Sequence, residues 1–599
     1  MHPIALVLLL FSVASPVSAQ PPGNNWIRQG QSYWKIPIAQ TGLYRITYTD
    51  LSRAGVPINR LNKSTLHLFH RGTEQAISVS GAANDPFQSD DFIEFYGRRN
   101  DGTLDSLLYK PASAQPHPYY NLFSDTTAYF LTIGPTPGRR MTVVTDTSAA
   151  NPAPVPFVWA DELRLFTDTY PGYAAGLPNQ IESSYFDPAD GYTGPILQKN
   201  QFADQSFVLS NPYRAGPAPE LEWLLVGREF SNHLVETYAG PDPATRQPID
   251  TVAFLPYDNA RISKPLGWSA VAPDGRLLVG TRAINLNTST DRYSVSYVRL
   301  RYPQRPIADY QLPKTIGLPA NSTDSSLLVP SQVPANTRLF DITDPNAPVQ
   351  YTSTVTGDSL RVVFPPSPGV RTLLCVGEPL SVPALRPVIF RSFVGSKADF
   401  VIVSHEQLMQ PVAGRRDAVR TYADYRASAA GGRHDTLIVT VDELFDQYSY
   451  GERSPLAIRR FCDELLRTGQ PKFLLLLGRS RHPAGIRRDP QGPLLDLVPT
   501  AGYPGSDALF TVGLNGAPAD VPALPTGRIN ASTPQDILAY LDKVKTFEAL
   551  PPDADWRKNI LHLSGGRSAS ELFLFKSLVE SYGRRARTGS LGGAVTMIP

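Results

Sequence analysis

The pattern of hydrophobic segments changes once along this chain, near Pro383. Before that point, short strand-like runs are separated by Gly, Pro and Asn, which is typical of antiparallel β-sandwiches. After it, apolar strands alternate with helical stretches, which predicts βαβ units and a parallel sheet covered on both faces. The 599 residues are also too many for one hydrophobic core. We therefore predict a multidomain protein, with all-β, sandwich-like regions followed by a partial α/β domain.

The predicted domain boundaries follow this change of pattern and a Pro-rich segment at 151–156. Within the first stretch, Tyr33–Ile38 and Leu43–Tyr48 alternate around a turn at 40–42, which predicts a β-hairpin. The predicted units are a signal peptide at 1–19, a β-rich domain at 25–150, a second β-rich domain at 157–383 and a partial α/β domain at 388–599.

The first residues have the composition of a secretory signal peptide. An apolar run from Ile4 to Phe11 precedes Val17-Ser18-Ala19, which predicts cleavage after Ala19 and export. The segment before the run departs from the usual pattern because it has no Lys or Arg. The run is shorter than a membrane-spanning helix, and we expect no transmembrane span after it.

Composition argues against several function classes. The formal net charge is +2, with no long basic run, so we expect no nucleic-acid binding. Cys375 lies in an apolar run that predicts a buried strand, and Cys462 lies on the apolar face of a predicted helix. Both are predicted to be small core residues, and a disulfide between them is the alternative. Two cysteines are too few for a disulfide scaffold or a zinc site, and no metal-ligand motif such as HExxH occurs. We predict no metal centre and no cofactor.

Five aspartates lie near one another in predicted loops of the first β-rich stretch. Their spacing does not match an EF-hand loop, and we favour the interpretation that they are solvated loop carboxylates. Structural Ca²⁺ binding by these residues is the alternative. They are Asp85, Asp90, Asp91, Asp101 and Asp105.

Five segments near and within the predicted α/β domain occur in a distinctive order. They are Gly395–His405, Tyr448–Phe461, Ser506-Asp507, Pro525–Ile529 and Trp556–Leu561. In their order and spacing they resemble the gingipain-type (C25, clan CD, caspase-like) cysteine peptidases, in particular the PorU-like, sortase-like branch of type IX secretion. Trp34-Lys35-Ile36 and Phe92–Gly97 resemble the β-rich region that precedes such domains. The resemblance implies a caspase-like α/β fold and protein or peptide substrates.

The chemistry of this family requires a Cys nucleophile and a His base. In the family the His is followed by Gly, and the Cys ends a later strand. This sequence has no His-Gly pair and no Cys after Cys462, so we predict that the catalytic dyad is absent from this chain. In gingipains a carboxylate before a Gly-Gly turn orients the catalytic His. Here Ser564 precedes Gly565-Gly566, and its hydroxyl offers no charge to stabilise an imidazolium.

Four residues are candidates for lining a cleft. His405 and His482 follow predicted strands at their carboxyl ends, where open α/β sheets bind ligands. For both, the alternative is a loop histidine with no catalytic duty. Asp507 is predicted to fix a loop through local hydrogen bonds, and Ser564 to lie in a tight turn between a strand and a helix.

Two functions follow from these observations. The first is an exported gingipain-like cysteine peptidase or sortase-like protein that acts on secreted proteins at the outer-membrane-associated cell surface, with type IX secretion components as partners. Under this hypothesis we expect the chain as written to be truncated and inactive. The second is a non-catalytic secreted β-sandwich scaffold or binding protein with a degenerate peptidase-like domain.

Overall fold

The computed structural model describes residues 24–598, except for 84, 146–151, 171–183, 308–311, 353–354, 413, 415–416, 552 and 589–591 and the side chains of residues 60 and 555. The signal peptide predicted at 1–19 lies outside the described residues. In the described part of the chain, no helix is both long enough and apolar enough to cross a membrane.

The first part of the chain is built of short strands with one helix. The strands are β1 Tyr33–Ile38, β2 Gly42–Thr47, β3 Leu66–His70, β4 Thr73–Gln75, β5 Ser78–Val79, β6 Phe92–Gly97, β7 Thr127–Ile133 and β8 Thr142–Thr145, and the helix is α1 Tyr48–Arg53.

The middle of the chain consists of strands and loops. The strands are β9 Val158–Leu165, β10 Phe202–Val208, β11 Glu220–Gly227, β12 His233–Gly240, β13 Gln247–Phe254, β14 Asn259–Pro265, β15 Arg276–Ala283, β16 Tyr293–Gln304, β17 Lys314–Leu318, β18 Ser326–Leu328, β19 Arg338–Asp341, β20 Val349–Thr352, β21 Val355–Thr356, β22 Ser359–Leu360, β23 Val362–Phe364, β24 Arg371–Val376, β25 Leu380–Ser381 and β26 Arg386–Val388.

From Phe400 onward, strands and helices alternate. The elements are β27 Phe400–Ser404, α2 Ala418–Ala427, β28 Thr436–Thr440, α3 Val441–Tyr448, α4 Leu456–Thr468, β29 Phe473–Leu477, α5 Pro483–Arg487, α6 Gly492–Leu495, β30 Thr526–Ile529, α7 Pro534–Glu548, β31 Asn559–Leu563, α8 Ala569–Thr588 and β32 Ala594–Ile598.

The first sandwich packs two sheets around one core. One sheet has the order β26-β1-β7-β3-β4 and the other has the order β25-β2-β6-β5. The predicted hairpin between β1 and β2 is wrong, because the turn between them carries the chain from one sheet to the other. Trp34 and Ile36 of β1 therefore face Tyr44 and Ile46 of β2 across the core, and this burial favours separate sheets over direct pairing.

The second β-rich region is built around a long sheet with the order β14-β11-β16-β9-β17-β24-β19-β20-β8. A shorter sheet, β10-β15-β12-β13, covers one end of it, and Trp223, Val279 and Val298 lie in the shared core. The β8 strand joins this long sheet, while β25 and β26 return to the first sandwich. The two β-rich regions thus exchange strands, and the boundaries at 150, 157 and 383 stay predictions.

The C-terminal region contains a parallel sheet with the order β28-β27-β29-β30. One face of this sheet packs in a core with α3 and α4, and the other packs with α2 and α7. Val401, Leu474 and Leu476 lie in the first core and Ile402 in the second. Both faces are buried, as expected for a parallel sheet, and the predicted fold class is confirmed.

The β31–α8–β32 unit forms a separate two-stranded parallel sheet with its helix. Several of its apolar side chains are exposed in the described structure. They are Leu561, Leu563, Leu572, Phe573, Leu574, Phe575, Leu578, Tyr582 and Ile598.

A buried ion pair joins the first sandwich to the parallel-sheet domain. Arg71 lies in the tight turn between β3 and β4, and its Nε atom is 2.6 Å from Glu452 Oε1. Thr127 Oγ1 donates a second hydrogen bond of 2.6 Å to Glu452. The Glu452 side chain is only 1% exposed. Burial raises the pKa of Glu452 above its usual range, although Arg71 and Thr127 counteract that rise.

A second charged contact supports the same interface. Lys35 Nζ lies 2.5 Å from Asp446 Oδ1, and Arg386 Nη2 lies 2.8 Å from Asp446 Oδ2. Because Lys35 and Arg386 belong to neighbouring strands of the first sandwich, Asp446 on α3 is held against the edge of that sheet. The interface therefore fixes how the parallel-sheet domain is oriented on the β-rich region.

We predict that Glu452→Gln destabilises the protein by about 2 kcal/mol, because it weakens the charge-assisted hydrogen bonds from Arg71 and leaves Arg71 paired with the more exposed Asp101. The matched control is Asp463→Asn, which removes an exposed ion pair with Arg467 within α4. The control is expected to change the free energy of unfolding by less than about 1 kcal/mol. Urea unfolding followed by fluorescence measures both variants, and equal midpoints would show that the buried pair contributes nothing.

Candidate functional site

The carboxyl ends of β27, β29 and β30 meet at one edge of the parallel sheet. His405 directly follows β27 and is half-buried. The backbone N–H of Gln407 donates to His405 Nδ1, so the neutral ring carries its proton on Nε2. That Nε2 atom lies 4.0 Å from Asp442 Oδ2. His405 thus caps the short 3₁₀ turn Glu406–Met409 and faces a carboxylate at the sheet edge.

Asp442 reaches this edge because α3 begins directly after β28. Thr440 and Glu443 form a capping box at the start of α3, with Thr440 Oγ1 accepting from the Glu443 backbone N–H and Glu443 accepting from the Thr440 backbone N–H. Asp442 was not among the residues predicted from the sequence, although the Thr-x-x-Glu spacing is a recognisable helix start. Applied here, that signal would have placed Asp442 in the first turn of a helix at the sheet edge.

The pKa of His405 is set by its neighbours at the edge. Partial burial lowers it below its usual range, Asp442 counteracts part of this shift, and Arg453 lowers it further. The imidazole is therefore neutral at pH 7. A neutral imidazole accepts a proton at its unprotonated nitrogen, which here is Nδ1. Because Nδ1 already accepts from the Gln407 backbone N–H, His405 would have to release this bond before it could act as a base.

Arg453 and Asp496 form a second pair behind His405. Arg453 Nη2 donates to the Asp496 carbonyl at 2.5 Å, and Arg453 Nε lies 3.7 Å from Asp496 Oδ2. The backbone N–H of Arg481 donates to Asp496 Oδ1 at 2.9 Å. Burial raises the pKa of Asp496 above its usual range, against the effect of Arg453. Neither residue was predicted, because no local pattern links 453 to 496.

His482 lies at the surface, at the start of α5 after β29. Its ring contacts Tyr503 edge to face, with the centroids 5.7 Å apart. Partial burial and then Arg481 lower the pKa of His482 below its usual range. Both predicted histidines follow neighbouring strands, and the loops that carry them are linked through Arg453, Asp496 and Arg481.

Asp507 is part of a bidentate ion pair rather than an open binding group. Arg528, on β30, places Nε and Nη2 each 2.7 Å from the two carboxylate oxygens of Asp507. The same guanidinium also donates to the carbonyls of Gly478, Val498 and Pro499. Asp507 thus orients an arginine that ties three loop segments together.

Ser564 lies apart from this edge, at the end of β31. Its backbone N–H donates to the Ile598 carbonyl at 3.0 Å, which extends the pairing of β31 with β32. The helix α8 begins after it, where Ser568 Oγ accepts from the Glu571 backbone N–H. The described structure therefore places Ser564 in a strand-to-helix turn, on a sheet separate from the one that carries His405.

Both cysteines are free and buried in hydrophobic cores. Cys375 packs inside the second β-rich region, and Cys462 packs between α4 and the parallel sheet. Burial raises the pKa of each thiol to about 12. Because the thiolate is the reactive form, neither residue has the properties of a catalytic nucleophile.

A cavity of about 330 Å³ opens between the β-rich region and the parallel-sheet domain. Gly502 lies beside it with a φ of +78°, and a Cβ atom there would lie 1.7 Å from the Ser184 carbonyl oxygen. Only glycine permits this close approach of the two regions. The lining is mostly apolar, with Lys110 and Arg459 as cations, and includes Tyr185, Leu456, Phe510, Val512 and Ala519.

The aspartates considered for Ca²⁺ binding have separate partners. Asp91 lies 2.6 Å from Lys63 Nζ, and Asp101 lies 2.8 Å from Arg71 Nη1. Asp105 accepts hydrogen bonds from Asn121 and from the backbone N–H of Leu122. Asp85 and Asp90 are exposed. Ca²⁺ binding by these residues stays a prediction.

The parallel-sheet domain matches a known enzyme family. Residues 394–588 match peptidase family C25. This region is similar to the C25 peptidases. This confirms the resemblance to gingipain-type peptidases that the sequence predicted, and the C25 match covers β27 to α8, including His405, His482, Asp507 and Ser564. No curated protein sequence matches the chain.

The fold of the whole chain is similar to that of latent PorU from Porphyromonas gingivalis, which was crystallised as a dimer. The similarity covers 91% of this chain and 54% of PorU, with 16% identity and a TM-score of 0.56. The chain thus spans about half the length of PorU. The CBM36-1 domain of a xylanase from the hindgut metagenome of Trinervitermes trinervoides matches 24% of this chain and 96% of its own, at 9% identity. Its TM-score of 0.15 supports no inference.

We predict opposite changes in the pKa of His405 when its two charged neighbours are neutralised. Arg453→Met should raise the pKa, and Asp442→Asn should lower it further below the usual range. The measurement is an NMR titration of the His405 ring C–H signal in each variant. Shifts in the same direction, or none, would contradict the geometry described for this edge.

Proposed function

We propose that this protein is an exported relative of the C25 cysteine peptidases that acts on secreted polypeptides at the cell surface. The observation that carries the proposal is the C25 match at 394–588 within a chain whose fold follows PorU over 91% of its length. Peptidases of this kind bind polypeptide chains, so proteins are the substrate class. Components of type IX secretion are the partners that the resemblance implies.

Within this proposal, the 599 residues position a substrate but do not hydrolyse it. The edge at β27, β29 and β30 supplies a neutral histidine and a network of paired charges. Cysteine peptidase chemistry also requires an accessible thiolate beside a base. Cys375 and Cys462 are buried in separate cores, and the pKa of each is about 12.

We predict that neither thiol of the native protein reacts with iodoacetamide at pH 7.5 and that the chain does not cleave peptide substrates. After unfolding in guanidinium chloride, both cysteines should react, because burial alone protects them. Intact mass spectrometry counts the labels. One rapidly labelled cysteine in the native state, with peptide cleavage that is lost in Cys375→Ser or Cys462→Ser, would overturn this part of the proposal.

A second candidate function is non-catalytic binding of polypeptides. The observation that favours it is the cavity between the β-rich region and the parallel-sheet domain, which combines an apolar lining with the cations Lys110 and Arg459. A cavity of about 330 Å³ accommodates one large apolar side chain. In this case the parallel-sheet domain acts as a recognition surface rather than as an enzyme.

We predict that Ala519→Trp weakens binding of an unfolded secreted polypeptide at least tenfold, because the indole fills the mouth of the cavity. The matched control is Ala429→Trp, at an exposed position after α2, which packs on the opposite face of the sheet. Fluorescence anisotropy with a labelled polypeptide measures both variants. Equal affinities for the two variants would rule out the cavity as the binding site.

A further inference from the structure

The cavity between the β-rich region and the parallel-sheet domain carries positive charge without a matching carboxylate. Its described lining residues include two cations, Lys110 and Arg459, and none of these lining residues is acidic. The two cations come from opposite sides of the interface, since Lys110 follows the 3₁₀ helix Gly102–Leu108 of the β-rich region and Arg459 lies on α4. An anionic ligand that pairs with both cations therefore contacts both regions.

Lys110 is positioned at the cavity and keeps hydrogen-bond donors for a ligand. Its side chain is exposed, and its Nζ atom lies 4.5 Å from the centroid of the Tyr185 ring. This cation–π contact holds the ammonium group against the cavity wall. An ammonium group carries three N–H donors, so it can pair with a carboxylate while it stays over the ring.

Arg459 is held in a fixed orientation at the opposite wall. Its Nη1 atom donates to the carbonyl oxygens of Leu509 at 2.7 Å and Val512 at 3.0 Å. These two bonds use both hydrogens of Nη1, whereas a guanidinium group has five N–H donors. The donors on Nε and Nη2 remain for a ligand, and a guanidinium fixed in this way is suited to binding a carboxylate.

The rest of the lining suits a large apolar group. Leu456, Phe510 and Val512 are buried at the cavity, whereas Leu107 is 53% exposed beside it. A ligand that covers Leu107 removes apolar surface from water, which favours binding. A small polar anion gains nothing from this surface. The lining therefore matches a ligand that combines an apolar group with a carboxylate.

From this lining we propose that the cavity selects polypeptide segments in which a large apolar residue is flanked by Asp or Glu. The apolar side chain enters the cavity, and a neighbouring carboxylate pairs with Lys110 at its exposed end. Segments with Lys or Arg at the flanking positions are disfavoured, because they bring like charges together. This selectivity rests on the polypeptide binding proposed above for the same cavity.

The test compares the binding of three labelled peptides to the full chain by fluorescence anisotropy. Each peptide carries one Phe in a Gly-Ser sequence, flanked on both sides by Glu, by Gln or by Lys. One flanking side chain then reaches Lys110 whichever way the peptide runs. We expect the Glu peptide to bind about threefold more tightly than the Gln peptide, and the Lys peptide to bind most weakly. The advantage of Glu should shrink in about 0.5 M NaCl, because salt screens exposed charges.

Substitutions at Lys110 locate the selectivity. Lys110→Glu should abolish the preference for the Glu peptide, because the lining then holds one cation and one anion, whereas Lys110→Arg should retain it. The matched control is Lys543→Glu, which makes the same charge change at an exposed position on α7, the helix that packs on the opposite face of the sheet. The control should retain the preference.

Failure of the selectivity and failure of polypeptide binding give different results. Equal affinities of the Glu and Gln peptides, both weakened by Ala519→Trp, would overturn the selectivity and leave the cavity as a binding site. If none of the peptides binds, or if Ala519→Trp leaves their affinities unchanged, polypeptide binding at the cavity fails and the selectivity fails with it. If the Lys110 variants do not fold, the peptide and salt comparisons on the unsubstituted protein decide the question.

Discussion

The orientation of the parallel-sheet domain on the β-rich region depends on the buried pair between Arg71 and Glu452. A carboxylate that is 1% exposed is costly unless a cation and further donors compensate it. Here the compensation comes from the other side of the interface, from the β3–β4 turn and from Thr127. The pair therefore specifies one arrangement of the two regions, and Asp446 with Lys35 and Arg386 supports it. The cavity beside Gly502 exists only in this arrangement.

At the edge of the parallel sheet, the charged side chains hold the loops in place and few of them are free to react with a substrate. Its charged groups are largely paired with one another: Arg528 holds Asp507 in a bidentate pair, and Arg453 Nε lies 3.7 Å from Asp496 Oδ2. Groups paired in this way stabilise loops, and they lose that role if they bind substrate. His405 is the exception, because its Nε2 atom faces Asp442 at 4.0 Å without a short hydrogen bond. The edge of the parallel sheet thus carries fixed charged groups, and neither Cys375 nor Cys462 lies at it.

Local sequence patterns predicted the order of strands and helices well. The alternation of apolar strands and helical stretches after Pro383 predicted the parallel sheet that the structure contains. The hairpin at β1 and β2 failed because its alternating pattern is equally compatible with two facing sheets. Likewise, β25 and β26 return to the first sandwich through contacts that no local pattern encodes.

The candidate site was likewise predictable only where it depends on local sequence patterns. The positions of His405 and His482 after strands were visible in the sequence, whereas Arg453 and Asp496 were not. The most direct test of the interface that Arg71 and Glu452 form is native-state hydrogen exchange at increasing urea concentrations. The measurement compares the amide protons of β7, in the first sandwich, with those of β27, in the parallel sheet. We expect β7 and β27 to exchange with the same free energy of opening, because the two regions unfold together. A lower free energy of opening for β27 than for β7 would contradict this account.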